Sequence, residues 1–338
     1  MIPHTDPQWQ ALPWQQELKE AFRRPIELLD FLGLTHEAVS QHDLAAEAFS
    51  LLVPRPFARR MKAGDPNDPL LLQVLSSGAE LNDPAGYTED PLQEANNNPV
   101  PGLIHKYHGR VLLIAAAGCA VNCRYCFRRH FDYGANNPSR EDWARTLKYV
   151  ARDSSISEVI LSGGDPLLLN DDLLAELIGR IEAIPHVKRL RIHTRLPVVL
   201  PARVTPELCA TLNQSRLFPV VVIHCNHRNE IDPQMTSALR QLAEAGVSLL
   251  NQTVMLAGIN DSADTLAALS EALFYAGVTP YYLHLLDRVS GASQFDIPES
   301  RALEIYRQLL ATSSGYLVPK LVREIPGKPS KTGLLPDG

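Results

Sequence analysis

Three of the five cysteines in this chain lie within one short stretch, GCAVNCRYCFRRHF (residues 118–131). The thiols of Cys119, Cys123 and Cys126 could bind zinc, bind an iron–sulfur cluster or pack as small apolar side chains. Structural zinc takes four Cys or His ligands, and a fourth would have to come from His130 or from a distant side chain. A cubane cluster with three protein thiolates keeps one iron open for another ligand. Packing is the weakest interpretation, because buried structural cysteines are scattered rather than gathered in one loop.

A second stretch with chemical potential is LSGGDPL, residues 161–167. Two adjacent glycines remove Cβ atoms, so the backbone can approach a ligand closely there. The same pair could also mark a simple turn. Both stretches directly follow apolar runs, so the elements that position them matter next.

Six apolar, β-prone runs alternate with amphipathic segments of helical period. The runs are RVLLIAAA (110–117), SEVILSG (157–163), KRLRIHT (188–194), FPVVVIH (218–224), VSLLNQTVM (247–255) and TPYYLHLL (279–286). The helix candidates are REDWARTLKYVARD, DDLLAELIGRIEAI, DPQMTSALRQLAEAG, SADTLAALSEALFYAG and PESRALEIYRQLLATS. Apolar strands separated by helices indicate an α/β fold with a parallel sheet. Six such units predict a partial or complete barrel, in which functional residues gather where strands end.

The chain divides into three predicted regions. Residues 1–100 form an N-terminal helical region, in which a broken helical pattern runs from about residue 16 to 95. Residues 101–315 form the barrel core, and residues 316–338 form a C-terminal segment.

Composition excludes several classes of protein. With 45% hydrophobic residues, 21% charged residues and a formal net charge of -6, the chain lacks the basic excess of a nucleic-acid-binding protein. No apolar run approaches the roughly 20 residues that span a bilayer, and the first residues lack the pattern of a secretory signal. An odd, clustered set of cysteines does not resemble a disulfide framework. These features predict a cytoplasmic protein.

The spacing C-x3-C-x2-C, with Tyr125 beside the last cysteine, resembles the motif of the radical S-adenosylmethionine (SAM) superfamily. The resemblance implies a radical SAM barrel of partial (β/α)6 form, a [4Fe-4S] cluster held by the three cysteines and SAM on the open iron. In that superfamily a G-G-x-P element after the second strand receives the methionine amino group of SAM. Gly163, Gly164, Asp165 and Pro166 match that element.

From about residue 100 to the end, the chain is similar to one branch, the lysine 2,3-aminomutases. The similarity includes HCNHRNEID, LLNQTVMLAGIND and YYLHLLDRVSGASQF, and it implies a second cofactor, pyridoxal 5′-phosphate (PLP). Alignment on the acid in LVREIPGKPSKTG makes Lys331 the PLP Schiff-base lysine, with Lys328 as the alternative. The family's run of glycines is PGKPS here, which predicts a stiffer loop. The residues implied for the PLP phosphate are Lys106, Tyr107 and Arg110.

The same resemblance implies how an amino acid substrate is held. Arg128 matches the arginine for the substrate carboxylate, while Asp287 and Glu324 match two acids that bind a distal ammonium. Acids there favour lysine over glutamate, although Glu324 is longer than the family's Asp. The resemblance also implies that His224 and Gln252 lie on the SAM side. Three residues have no role in the family pattern. We interpret Arg129 as a solvated residue at a helix start, and Cys209 and Cys225 as small buried residues.

One absence refines the resemblance. The longer lysine 2,3-aminomutases carry extra C-terminal cysteines for a structural zinc, and no cysteine follows Cys225 here. The chain in this respect resembles the elongation factor P (R)-β-lysylation protein B group, which implies β-lysine made for a separate ligase that modifies elongation factor P, and a homo-oligomer. Two alternatives stay open: an aminomutase for glutamate or another amino acid, and a non-catalytic iron–sulfur or zinc protein.

Overall fold

The computed structural model of the protein describes residues 13–36, 39–132, 136 and 139–336. The first twelve residues, whose sequence lacks the pattern of a secretory signal, lie outside the described residues. One sheet of nine strands, in chain order from edge to edge, forms the centre of the molecule. Its strands are β1 (Leu103–Tyr107), β2 (Arg110–Ala116), β3 (Glu158–Gly163), β4 (Arg189–Thr194), β5 (Phe218–His224), β6 (Ser248–Val254), β7 (Thr279–His284), β8 (Lys320–Arg323) and β9 (Thr332–Gly333).

Helices cover the outside of this sheet and form the N-terminal region. They are α1 (Pro13–Lys19), α2 (Pro25–Leu32), α3 (Val39–Ala48), α4 (Arg55–Ala58), α5 (Arg140–Arg152), α6 (Asp171–Glu182), α7 (Leu196–Val199), α8 (Pro206–Gln214), α9 (Pro233–Glu244), α10 (Ala263–Tyr275) and α11 (Glu299–Thr312). The five helices predicted between the apolar runs are confirmed as α5, α6, α9, α10 and α11.

The six predicted strands are confirmed as β2 to β7, and all of them pair in parallel. The structure adds β8 as a seventh parallel strand and antiparallel β1 and β9 at the two edges. These additions are short or polar, so periodicity did not reveal them. Lys106 of β1 and Glu324, just after β8, form an ion pair of 3.0 Å. Side chains from the two edge regions of the sheet therefore come into contact. The strand order runs from β1 to β9 without pairing these two strands with each other, so the sheet is a partial barrel that remains open.

Helix α5 illustrates why these segments form. Ser139 and Asp142 make a reciprocal capping box at its start, which satisfies backbone N–H groups that would otherwise lack partners. Its buried residues, Trp143, Thr146, Leu147 and Val150, recur at three- and four-residue spacing. The helix therefore packs one continuous face against the sheet.

The N-terminal region is less helical than predicted, because regular α-helix ends at Ala58 and the chain then continues in turns and short 3-10 segments. This region packs against the loop that carries the three cysteines. The N–H of Asn122 donates to Leu52 O at 3.0 Å, and that of Arg124 donates to Gln73 O at 2.9 Å. Within the described residues, no helix is both long and apolar enough to cross a membrane.

Candidate active site

One cavity of about 370 Å³ runs from the carboxyl ends of the strands into the barrel interior. All of the predicted site residues except Pro166 line it: Cys119, Cys123, Cys126, Lys106, Tyr107, Arg110, Arg128, Gly163, Gly164, Asp165, His224, Gln252, Asp287, Glu324 and Lys331. Pro166 is buried at the start of a 3-10 turn behind it. Residues from the whole length of the barrel thus converge on one space, as expected for parallel strands.

The three cysteines lie on the loop that follows β2. Burial raises the pKa of the Cys119 thiol and, with Cys123 nearby, raises the pKa of Cys126 to about 11, so binding metal would require loss of these protons. Among the described residues, no group of three or more His, Cys, Asp or Glu side chains is arranged to hold a single metal ion. Three thiolates suit a four-iron cluster, in which each thiolate binds a different iron, whereas structural zinc takes four protein ligands.

The cysteine loop is held from the N-terminal side by Glu80. This buried carboxylate contacts Arg124, with Oε1 2.8 Å from Nε, and Arg129, with Oε2 2.9 Å from Nη2. Arg129 also donates to Gly291 O at 2.6 Å. Our interpretation of Arg129 as a solvated residue at a helix start is therefore wrong: it is part of a buried ion-pair network and starts no helix. Its partner lies 49 residues away in sequence, which local patterns do not reveal.

The two glycines of SGGDP are required by contacts within the protein. A Cβ atom on Gly164 would lie 2.0 Å from Gly118 O, and one on Gly163 would lie 2.7 Å from Ala116 O. Gly163 also has φ +114°, a conformation that side chains disfavour. The glycines thus let the loop after β3 pack against the loop after β2, so their first role is close backbone packing rather than space for a ligand.

A single methyl group at Gly164 should therefore disrupt the site. We expect Gly164→Ala to lower the free energy of unfolding by about 1–3 kcal/mol, the range for overpacked positions, and to reduce iron retention. Chemical denaturation and iron analysis measure both effects. The matched control is Gly179→Ala on the exposed face of α6, where nothing lies within 4 Å of the added Cβ. That change should stabilise the chain by up to about 1 kcal/mol, and equal stability of the two variants would contradict the packing argument.

Asp165 ties this loop to the end of β4. Its buried carboxylate accepts hydrogen bonds from Thr194 Oγ1 at 2.7 Å and from the N–H of Arg195 at 2.7 Å. Elsewhere in the cavity, Tyr125 Oη lies 2.9 Å from His224 Nε2. Burial and Arg195 keep the pKa of His224 well below its usual range, so this imidazole is neutral at neutral pH.

The far end of the cavity contains a chain of alternating charges. Lys331 Nζ lies 2.6 Å from Glu324 Oε2, and Lys106 Nζ lies 3.0 Å from Glu324 Oε1. Burial opposes ionisation of Glu324, but the two lysines outweigh it and lower its pKa to about 2. Lys328, the alternative Schiff-base lysine, is exposed on the preceding turn and does not line the cavity. The geometry thus favours Lys331 as the reactive amine.

The residues at this end fit an aldehyde cofactor that carries a phosphate. Lys106 and Arg110 supply positive charge, and the Arg110 guanidinium stacks 4.7 Å from the ring centre of Tyr107. Together with the Lys331 amine, they place phosphate-binding groups and a nucleophile in one cavity.

Arg128 is nearly fully buried and forms a two-point contact with Glu94, which the sequence did not single out. Arg128 Nε lies 2.7 Å from Glu94 Oε2, and Nη2 lies 2.9 Å from Oε1. On the other side, Nη1 lies 3.2 Å from Ser162 Oγ at the end of β3. The carboxylate-binding candidate is thus fixed beside the SGGDP loop.

Asp287 differs from the other acids, because burial and the nearby charge of Glu324 raise its pKa to about 7. Lys331 and Lys106 act in the opposite direction. A carboxyl group of this kind binds a proton readily and would exchange it for a cationic ligand.

Several cavity residues were missed at the sequence level: Glu94, Arg191, His193, Arg195, Tyr281, Tyr282 and His284. Arg195 donates to Cys123 Sγ at 2.7 Å and to Gln73 Oε1 at 2.6 Å. Its position just after a predicted strand, in IHTRLP, was a signal that could have identified it. Cys209 lies on α8 and is only half-buried, so its interpretation as a buried residue is wrong, whereas Cys225 is fully buried as expected.

The chain is similar to known proteins of one family. The family model described as the radical SAM superfamily matches residues 113–269. A protein of Haemophilus influenzae named L-lysine 2,3-aminomutase is 51% identical over 319 residues, covering 94% of each chain. One of the same name from Escherichia coli is 50% identical, covering 95% of this chain and 94% of the relative. Another, from Clostridium subterminale, is 37% identical, covering 98% of this chain and 80% of the relative.

Proposed function

Because this chain belongs to the lysine 2,3-aminomutase family of the radical SAM superfamily, we propose that it converts (S)-α-lysine to (R)-β-lysine with PLP as a second cofactor. The observation that carries the proposal is the shared cavity. It brings together three cluster-type cysteines, a lysine beside a glutamate, a buried arginine and a second acid, Asp287. An isomerase that moves an amino group between neighbouring carbons needs such groups around one small molecule.

Each end of the cavity has a role in this proposal. Cys119, Cys123 and Cys126 hold the [4Fe-4S] cluster, and the loop with Gly163 and Gly164, together with His224 and Gln252, holds SAM. The cluster and SAM supply the radical that removes hydrogen from the substrate, while PLP supplies an aldehyde and a delocalised system that stabilises radical character.

At the PLP end, Lys331 provides the amine that holds the aldehyde, and Lys106, Tyr107 and Arg110 hold the phosphate. The protein binds and orients these partners in one cavity.

Selection of lysine rests on charge. Arg128 pairs with the α-carboxylate, and Asp287 and Glu324 receive the distal ammonium, since a buried cation requires opposite charges. A distal carboxylate would meet the same two acids and be repelled. Glutamate is therefore the poorer substrate in this proposal.

The experiment that tests the proposal uses cluster-reconstituted protein under anaerobic conditions with PLP, SAM and a strong reductant. Lysine and glutamate are supplied separately, and the products are separated by chiral chromatography. Formation of (R)-β-lysine that depends on both PLP and SAM supports the proposal. A glutamate product, or SAM cleavage with unchanged lysine, would assign the cavity to another amino acid.

The pKa of Asp287 predicts a pH dependence for lysine use. The pKa of Asp287 is about 7, so below that pH its carboxyl group is protonated and cannot pair with an ammonium. As the pH increases through this value, kcat/KM for lysine should therefore rise. Asp287→Asn should lower kcat/KM by about ten- to hundredfold, as expected for a lost charged hydrogen bond, and should abolish the step. A pH profile that is the same in both proteins would contradict this assignment.

The biological role we propose is the supply of β-lysine to a ligase that modifies elongation factor P. This part of the proposal rests on resemblance to the (R)-β-lysylation protein B group. Loss of the modification on elongation factor P when the encoding gene is deleted, and its return on addition of (R)-β-lysine, would support it.

A further inference from the structure

Glu94 lines the cavity and pairs with two cations at once, Arg128 and Lys106. Its two oxygens contact Arg128 Nε and Nη2, and Oε1 also lies 3.4 Å from Lys106 Nζ. Only 5% of Glu94 and 8% of Arg128 are exposed. A buried arginine with a two-point carboxylate partner is held in one orientation, since its planar fork fits the carboxylate in only a few ways.

The backbone around Glu94 is shaped for this contact. Gln93 has φ 49° and ψ 45°, and it is the only non-glycine residue with positive φ in the part of the chain that the structure describes. Glu94 follows as the first residue of a 3-10 turn, Glu94–Asn97, and its N–H donates to Asp90 Oδ1 at 3.0 Å. A left-handed conformation at a non-glycine residue is unfavourable and persists where the surrounding structure imposes it.

Electrostatics keep the pair ionised. Burial opposes ionisation of Glu94, but Arg128 and Lys106 outweigh it and hold its pKa below the usual range. Through Lys106 and Glu324 the alternating charges continue to Lys331. Glu94 is thus the link between the arginine at one end of this charge chain and the lysines at the other.

We propose that Glu94 is a positioning residue that orients Arg128 to bind the α-carboxylate of the amino acid substrate. Glu94 occupies the edge of the guanidinium formed by Nε and Nη2, while Nη1 donates to Ser162 Oγ at 3.2 Å and to Gly163 O at 3.4 Å at the end of β3. The substrate carboxylate approaches from the β3 side and replaces these longer contacts at Nη1. This inference rests on the lysine site proposed above and adds to it the residue that sets the direction of the arginine.

The test compares two ligands that differ only in the carboxylate, namely lysine and 1,5-diaminopentane. Binding of each to PLP-loaded protein without SAM is measured by calorimetry for the wild type and for Glu94→Gln, Arg128→Gln and the double variant. Glu89→Gln, at an exposed acid five residues earlier, is the matched control. Thermal unfolding and PLP content are measured for every variant.

We expect Glu94→Gln to weaken lysine binding by about ten- to hundredfold, as for loss of a charged hydrogen bond, and to change diamine binding by less than about threefold. In the Arg128→Gln background the same change should have little further effect on lysine, because Glu94 acts through Arg128. Glu89→Gln should bind both ligands as the wild type does. If Glu94→Gln does not fold, Glu94→Asp, which keeps the charge but withdraws the carboxylate, should show the same selective loss for lysine.

Three results would overturn the inference. They are equal weakening of lysine and diamine binding by Glu94→Gln, additive effects of the Glu94 and Arg128 substitutions on lysine binding, and tighter lysine binding by Glu94→Gln. Tighter binding would mean that Glu94 competes with the substrate for Arg128. Failure of the proposed function gives a different result, namely that the wild-type protein binds lysine no better than the diamine and forms no β-lysine.

Discussion

Replacement of Lys331 by alanine should reduce lysine conversion by about 10³-fold or more, the scale of losing a residue that takes part directly in the chemistry. The Lys331 amine lies in the cavity, 2.6 Å from Glu324 Oε2. In the proposed function this amine is the one that joins the aldehyde of PLP. Activity and the PLP absorbance spectrum of purified protein measure the loss.

Two further variants separate nucleophile from charge. Lys331→Arg keeps a cation beside Glu324 but cannot form the imine, so it should be nearly as inactive as the alanine variant. Lys328→Ala removes the exposed lysine three residues earlier and should retain activity and PLP. The reverse pattern, with activity lost in Lys328→Ala and kept in Lys331→Ala, would move the Schiff-base role to Lys328.

Replacement of Cys123 by alanine should abolish both iron retention and SAM cleavage. A cluster with three protein ligands has no spare thiolate to replace a lost one. Loss of a side chain that only supports a ligand lowers metal affinity by roughly ten- to hundredfold, and loss of the ligand itself should lower it further. Iron analysis and assay for 5′-deoxyadenosine follow the two effects.

Cys209→Ala is the control for that experiment, because Cys209 lies half-buried on α8 and does not line the cavity. It should keep full iron content and activity. If instead the Cys123 variant retains iron and cleaves SAM, the cysteine loop is not the cluster site.

Local patterns in the sequence predicted the parts of the structure that depend on local physics. Apolar β-prone runs predicted β2 to β7 and segments of helical period predicted α5, α6, α9, α10 and α11, all to within two residues at each end, whereas α7 and α8, between β4 and β5, were not predicted. The cysteine spacing and the glycine pair identified the two loops that meet at the cavity. These features depend on the chain's own neighbours, so a single sequence reveals them.

Contacts between distant segments were not predictable in this way. The pairing of Arg129 with Glu80 and of Arg128 with Glu94 depends on how the N-terminal region folds over the cysteine loop. Glu94 is one acid among many in a turn-rich segment, and only its burial distinguishes it. The reason for two glycines at 163 and 164 likewise becomes visible only when Gly118 and Ala116 are seen to pack against them.

The most direct test of the central claim is to follow the amino group itself. Lysine labelled with ¹⁵N at the α-amino group is incubated anaerobically with reconstituted protein, PLP, SAM and reductant, and the product is examined by NMR. The account predicts β-lysine with the label on C3 and SAM present at its starting concentration, as expected for a shift within one molecule. Unlabelled β-lysine, or lysine that keeps its label on C2 while SAM is consumed, would contradict it.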